Sequence, residues 1–169
     1  MVDTKISYED RSQQDLKAAY RIAALIGAVM ILSLFIYAAV VEFFKDDPSI
    51  ARPRMPAETV EIMRYTLLGV TTVLFFATGY LQKLFLSGKA AKQGSAVQHF
   101  ITGAVISYAL CESVAIYGLV LFFLGGQALD FYLFMGLSLL FFLVYFPRYA
   151  TWEALVKEGR KKAPGAKGK

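Results

Sequence analysis

The sequence predicts an all-α, polytopic membrane protein with four transmembrane helices and both termini in the cytoplasm. Two observations carry that reading. Of 169 residues, 57% are hydrophobic and 18% charged, with a mean hydropathy of +0.50, too apolar for a soluble domain. The charges are also confined to the two ends and two connecting segments, leaving long uncharged runs between them.

At about 1.5 Å per residue, a hydrocarbon core of about 30 Å needs about 20 helical residues. The uncharged runs place helices over 19–44, 62–86, 97–124 and 128–148. They form one four-helix domain, 19–148, between a cytoplasmic N-terminal segment, 1–18, and a basic cytoplasmic tail, 149–169. The first run, Ile22 to Val41, follows a polar stretch reaching Tyr20 and is longer than a signal-peptide core, so it is expected to remain as a span. The connection from Lys45 to Arg64 contains Pro48, Pro53 and Pro56 and reads as a short extracytoplasmic loop without catalytic groups. The second run, Tyr65 to Gln82, returns to a basic loop, Lys83 to Lys92. The third and fourth spans meet at Gly125-Gly126-Gln127, a connection that only a tight hairpin accommodates. Beyond Trp152, an interfacial anchor, the tail is basic and reads as a topology and headgroup contact ending in disorder.

Orientation follows from Lys and Arg. Lys5, Arg11, Lys17 and Arg21, then Lys83, Lys89 and Lys92, then Arg148 and six tail residues put fourteen of the 18 on one side. Lys45, Arg52, Arg54 and Arg64 are the other four. The positive-inside rule makes the richer side cytoplasmic, expected here for a bacterial inner membrane, and the imbalance argues against dual topology. The basic residues flank apolar spans, so lipid headgroups explain them before nucleic acid does.

Several chemistries are excluded by count. With one cysteine, Cys111, and one histidine, His99, the chain holds no internal disulfide, no CxxC pair, no cysteine zinc cluster and no bis-His haem. No Ser-His-Asp set or phosphate loop is present, so neither an enzyme, a metal site nor a cofactor is expected.

Glu112 is the one charge in mid-span, twenty positions after Lys92 and eighteen before Asp130. Asp130 and Glu42 lie at helix ends, where a short side chain is expected to reach water. An ionised side chain at the centre of a helix costs about 2.5–3.5 kcal/mol on insertion scales. With no cation in the spans to offset it, the expected form is the neutral acid, which donates one hydrogen bond and exchanges its proton with any water that arrives. Gly103, Ser107, Cys111 and Ala115 repeat every four residues as a small-residue packing stripe beside it. Tyr108, one turn earlier, is expected to hydrogen-bond the carboxyl, with Ser113 and Tyr117 near the same partner helix.

The run Ala109-Leu-Cys-Glu112-Ser-Val-Ala-Ile-Tyr117-Gly118-Leu-Val120 resembles, over about twenty residues, the carboxylate-bearing helix of the rotary ATP synthase c subunit, in which an acid is followed by A-x-x-I-Y-G-L-V. The resemblance implies that Glu112 carries a proton or sodium ion. It also implies that Ser113 and Tyr117 stand where sodium-binding members place coordinating groups, and that the second and third spans form the family's hairpin with its cytoplasmic basic loop. The second span departs from the family's glycine-rich inner helix, with only Gly69 and Gly79 and the bulky pair Phe75-Phe76. It has no mid-span Gln, leaving the hydroxyls of Thr71 and Thr72, so a proton is expected over sodium.

Three functions follow as expectations. The first is a proton-binding subunit of an ion-translocating or larger membrane complex, working as a homo-oligomer or with other membrane subunits. The second is a non-transporting structural or assembly subunit, and the third a small proton-coupled exporter. The last is opposed by the position of the acid outside the first span and by the charge bias.

Overall fold

A computed structural model describes residues 3–49, 54–86 and 96–154. Its elements are α1 (Asp3–Phe44), α2 (Ala57–Leu86), α3 (Ala96–Gly125) and α4 (Ala128–Tyr145), with no strand among the described residues. All four helices are long and apolar enough to cross a membrane.

The boundaries differ from the hydropathy reading in instructive ways. α1 starts at Asp3, sixteen residues before the expected 19, because backbone hydrogen bonding continues through a polar segment that contains no Gly or Pro. The N-terminal segment is therefore largely a helical extension of the first span, and its apolar part begins near Gln13. α2 starts at Ala57 because Pro56 serves as its cap: the Pro56 carbonyl accepts from the Thr59 and Val60 N–H groups at 3.0 and 3.2 Å. Arg64 consequently lies two turns inside α2 and not in the connection before it. α4 stops at Tyr145 because Phe146, preceding Pro147, is held extended at φ −62° and ψ 127°. The chain resumes a helical turn over 149–154.

Packing is centred on α3, which contacts all three other helices, while α1 and α2 hardly touch each other. The α3–α4 pair is the closest. Gly126 turns the hairpin at φ 71°, a left-handed conformation that favours glycine, and its N–H donates to the Phe122 carbonyl at 2.8 Å. A Cβ on Gly118 would stand 2.7 Å from Phe134 Cβ and 3.0 Å from the Phe131 carbonyl oxygen, so only glycine permits this crossing. One turn further along, Ser138 Oγ donates to the Cys111 carbonyl at 2.7 Å. The four stripe residues Gly103, Ser107, Cys111 and Ala115 are all buried.

The outer faces of α1 and α2 are apolar and uncovered: Leu25, Phe35 and Phe43 on α1, and Val73, Phe76 and Tyr80 on α2, are all exposed. Apolar faces of this extent need lipid or a partner subunit against them. At the end of the bundle near the 149–154 turn, buried Trp152 packs against Phe100 and meets Tyr20 nearly perpendicular, and Tyr20 also makes an edge contact with Tyr149.

A candidate proton-binding site at mid-span

Glu112 lies near the middle of the apolar stretch Gln98–Gly125 and is half-buried in the seam between α3 and α1. α1 and α3 run in parallel, with Gly27 beside Tyr108 and Phe44 beside Phe123. Ser33 and Tyr37, one turn apart, therefore arrive together at the depth of Glu112. Ser33 Oγ is 2.6 Å from Glu112 Oε1, and the Tyr37 hydroxyl donates to the same oxygen at 2.8 Å. Among the described residues no cation pairs with Glu112.

Proton counting gives this geometry its chemical content. Ser33 Oγ lies 2.6 Å from the Met30 carbonyl oxygen as well as 2.6 Å from Glu112 Oε1. A hydroxyl has one proton to give and a carbonyl has none. If Glu112 is ionised, Ser33 and Tyr37 both donate to the carboxylate, and the short approach of Ser33 to Met30 contains no proton. If Glu112 is neutral, its O–H donates to Ser33, Ser33 donates to Met30, and Tyr37 donates to Glu112. The neutral acid closes one more hydrogen bond with the same atom positions, while the two bonds to the carboxylate are the stronger, charge-assisted kind. The cluster accommodates both states.

The residues expected around Glu112 lie elsewhere. Tyr108 is wholly buried, stacked on Phe142 with its ring against Gly27, and its hydroxyl has no hydrogen-bond partner. The expected bond to the carboxyl one turn away is not formed, because aromatic packing between α1 and α4 takes the ring round the helix. Ser113 donates to the carbonyl of Leu110 at 2.8 Å, and Thr72 to that of Leu68 at 2.9 Å, each closing on its own helix. Thr71 is buried with its hydroxyl unpartnered, and Tyr117 packs half-buried against the core. None of these five hydrogen-bonds Glu112. The two groups that do were missed in the sequence, although a signal was present. Ser33 and Tyr37 are polar residues at i and i+4 within an otherwise apolar run, which puts two hydroxyls on one helix face.

A second acid is settled differently. Asp130, expected to reach water, is only 4% exposed, and the displaced α2 boundary explains why. Arg64 sets Nε 2.7 Å from Oδ1 and donates from Nη2 to Oδ2 at 2.9 Å, and it also reaches Gln127 at 3.2 Å. This pair, one hydrogen bond and one close charge contact, joins α2 to the start of α4. Glu42 is a rim charge as expected: it is exposed, accepts from the Tyr132 hydroxyl and pairs with Lys45.

Comparison with protein-family models, with curated proteins and with solved structures yields no match. Among the described residues no group of His, Cys, Asp and Glu is arranged to hold a metal ion.

Proposed function

We propose that this chain is a small integral membrane subunit whose Glu112 binds and releases a proton within a larger membrane complex or homo-oligomer. Both termini lie on the cytoplasmic side of a bacterial inner membrane in this reading. One observation carries it: an acid at mid-span with no cation paired to it among the described residues, held by two hydroxyls in an arrangement that accommodates it with or without its proton. Loss of the proton leaves Ser33 and Tyr37 in place to stabilise the carboxylate, so the two states interconvert without rearranging helices. The topology rests on the fourteen-to-four division of Lys and Arg between the two sides. The c-subunit resemblance of residues 109–120 supports a proton role for the acid, while its partners come from α1 and not from the second span.

The test is covalent. A hydrophobic carbodiimide reacts with protonated carboxyls in apolar surroundings, so Glu112 in native membranes should be modified selectively, less at high pH than at pH 6. Peptide mass analysis reads the adduct. Absence of labelling at pH 6 rejects the proposal.

A structural role has its own supporting observation, since the Glu112 cluster ties α1 to α3. Glu112→Gln separates the two readings, because an amide keeps hydrogen bonds to Ser33 and Tyr37 but exchanges no proton. Retained assembly with lost ion coupling supports the proton role, whereas retained assembly with full activity supports the structural one.

A further inference from the structure

The ends of α2, α3 and α4 enclose a cleft of about 170 Å³ at the opposite end of the bundle from the Asp130 pair. Its wall is apolar where it faces the bundle, formed by Phe85, Phe100 and Ala104, and polar at the rim, where Gln82 and exposed Arg148 stand. The break at Phe146–Pro147 creates it: by ending α4 early, the chain leaves the space that a continuing helix would fill, and the 149–154 turn forms one side. Gln82 is fixed in place, its amide donating to the carbonyl of Tyr145 at 2.8 Å.

We propose that this cleft binds one anionic phospholipid, with its phosphate on the Arg148 guanidinium and the start of an acyl chain against Phe85, Phe100 and Ala104. Three features select that occupant. A guanidinium meets phosphate oxygens with two parallel donors. The inner wall offers no partner for a polar ligand, but it suits methylene groups. The position, beside the buried Trp152 and the Tyr20–Tyr149 contact, is the aromatic level where helices meet headgroups. The proposal is independent of any proton chemistry at Glu112, which lies in a different seam.

The experiment uses the full chain extracted gently from vesicles of equimolar phosphatidylcholine and phosphatidylglycerol, with bound lipid read by native mass spectrometry. The wild type should retain one phosphatidylglycerol in preference to phosphatidylcholine. Arg148→Gln should lower that preference about fivefold, the effect of one charge near the headgroups. Ala104→Phe, which fills the apolar wall, should remove the retained lipid, and Lys45→Gln at the other end should change nothing. Equal retention of the two lipids by the wild type, or an Arg148→Gln variant that behaves as the wild type, overturns the assignment. If Ala104→Phe loses its helical circular dichroism, the Arg148→Gln result decides alone. A photo-crosslinking residue replacing Thr151 that captures residues 155–169 instead of lipid also overturns it.

Discussion

Asp130 and Glu112 are two acids in apolar spans, and the protein handles them in opposite ways. Asp130 is nearly inaccessible and paired with the Arg64 guanidinium, an arrangement that ties α2 to the start of α4. Glu112 is half-buried and surrounded by hydroxyls, which serve a neutral acid as readily as a charged one. A cation makes an acid structural by keeping its charge permanent. Hydroxyls leave the proton free to move, and under the proposed function that contrast puts anchoring at one end of the bundle and chemistry in its middle.

The comparison is broken most severely at Arg64. Arg64→Ala strands the Asp130 carboxylate without its partner and should cost about 3 kcal/mol, the low end for a buried pair because the Arg64 side chain is itself partly exposed. Thermal unfolding in detergent measures it, and a change no larger than that of a surface substitution would remove the anchoring role. Next comes Gly118→Ala, which forces α3 and α4 apart against Phe131 backbone and should cost about 1–3 kcal/mol without touching either acid. Ser33→Ala and Tyr37→Phe each remove one hydroxyl from Glu112 and should cost about 0.6 kcal/mol, the average for a hydrogen bond between membrane helices. The two should be non-additive with Glu112→Gln in a double-mutant cycle. Glu112→Gln alone should cost no more than about 0.6 kcal/mol, the one hydrogen bond lost because the amide oxygen accepts from Ser33 and Tyr37 but cannot also donate. A loss comparable with Arg64→Ala would show that the carboxylate is charged and structural.

The smallest effect is outside the membrane-spanning helices. Asp47 accepts from the Ser49 hydroxyl and backbone N–H, and the hydroxyl bond above all holds its carboxyl below the usual aspartate range. The sign is that of a depressed acid: its contribution is present above the unfolded value of about 3.9 and is lost as pH falls through the lower folded value. The Ser49 amide resonance should report the transition, and Asp47→Asn should abolish it.

The four spans were legible because the energy of crossing oil is written directly in hydropathy. Helix ends were less so. The polar residues ahead of Ala19 carry no hydropathy signal yet continue α1, whereas Pro56 and Pro147 mark the start of α2 and the end of α4 by backbone chemistry. Glu112 stood out as a mid-span acid, but its partners did not. The expectation looked along α3 to Tyr108, Ser113 and Tyr117, and to the next span for Thr71 and Thr72. Which helix lies beside α3 depends on packing across the bundle, and the close passage of Gly27 by Tyr108 brings α1 there. Arg64 and Asp130, 66 positions apart, were both visible as charges, but their meeting is likewise a product of assembly.

The parallel seam between α1 and α3 has a consequence for biosynthesis. Ser33 enters the bilayer 79 positions ahead of the acid it serves, and α2, which follows it in the chain, makes little contact with α1. Throughout that interval Ser33 can close only on the Met30 carbonyl of its own helix and Tyr37 lacks its acceptor, and the bundle gathers around α1 only once the later hairpin has been inserted. A ribosome stalled after the second helix would therefore hold α1 and α2 joined by their connection but hardly packed against each other.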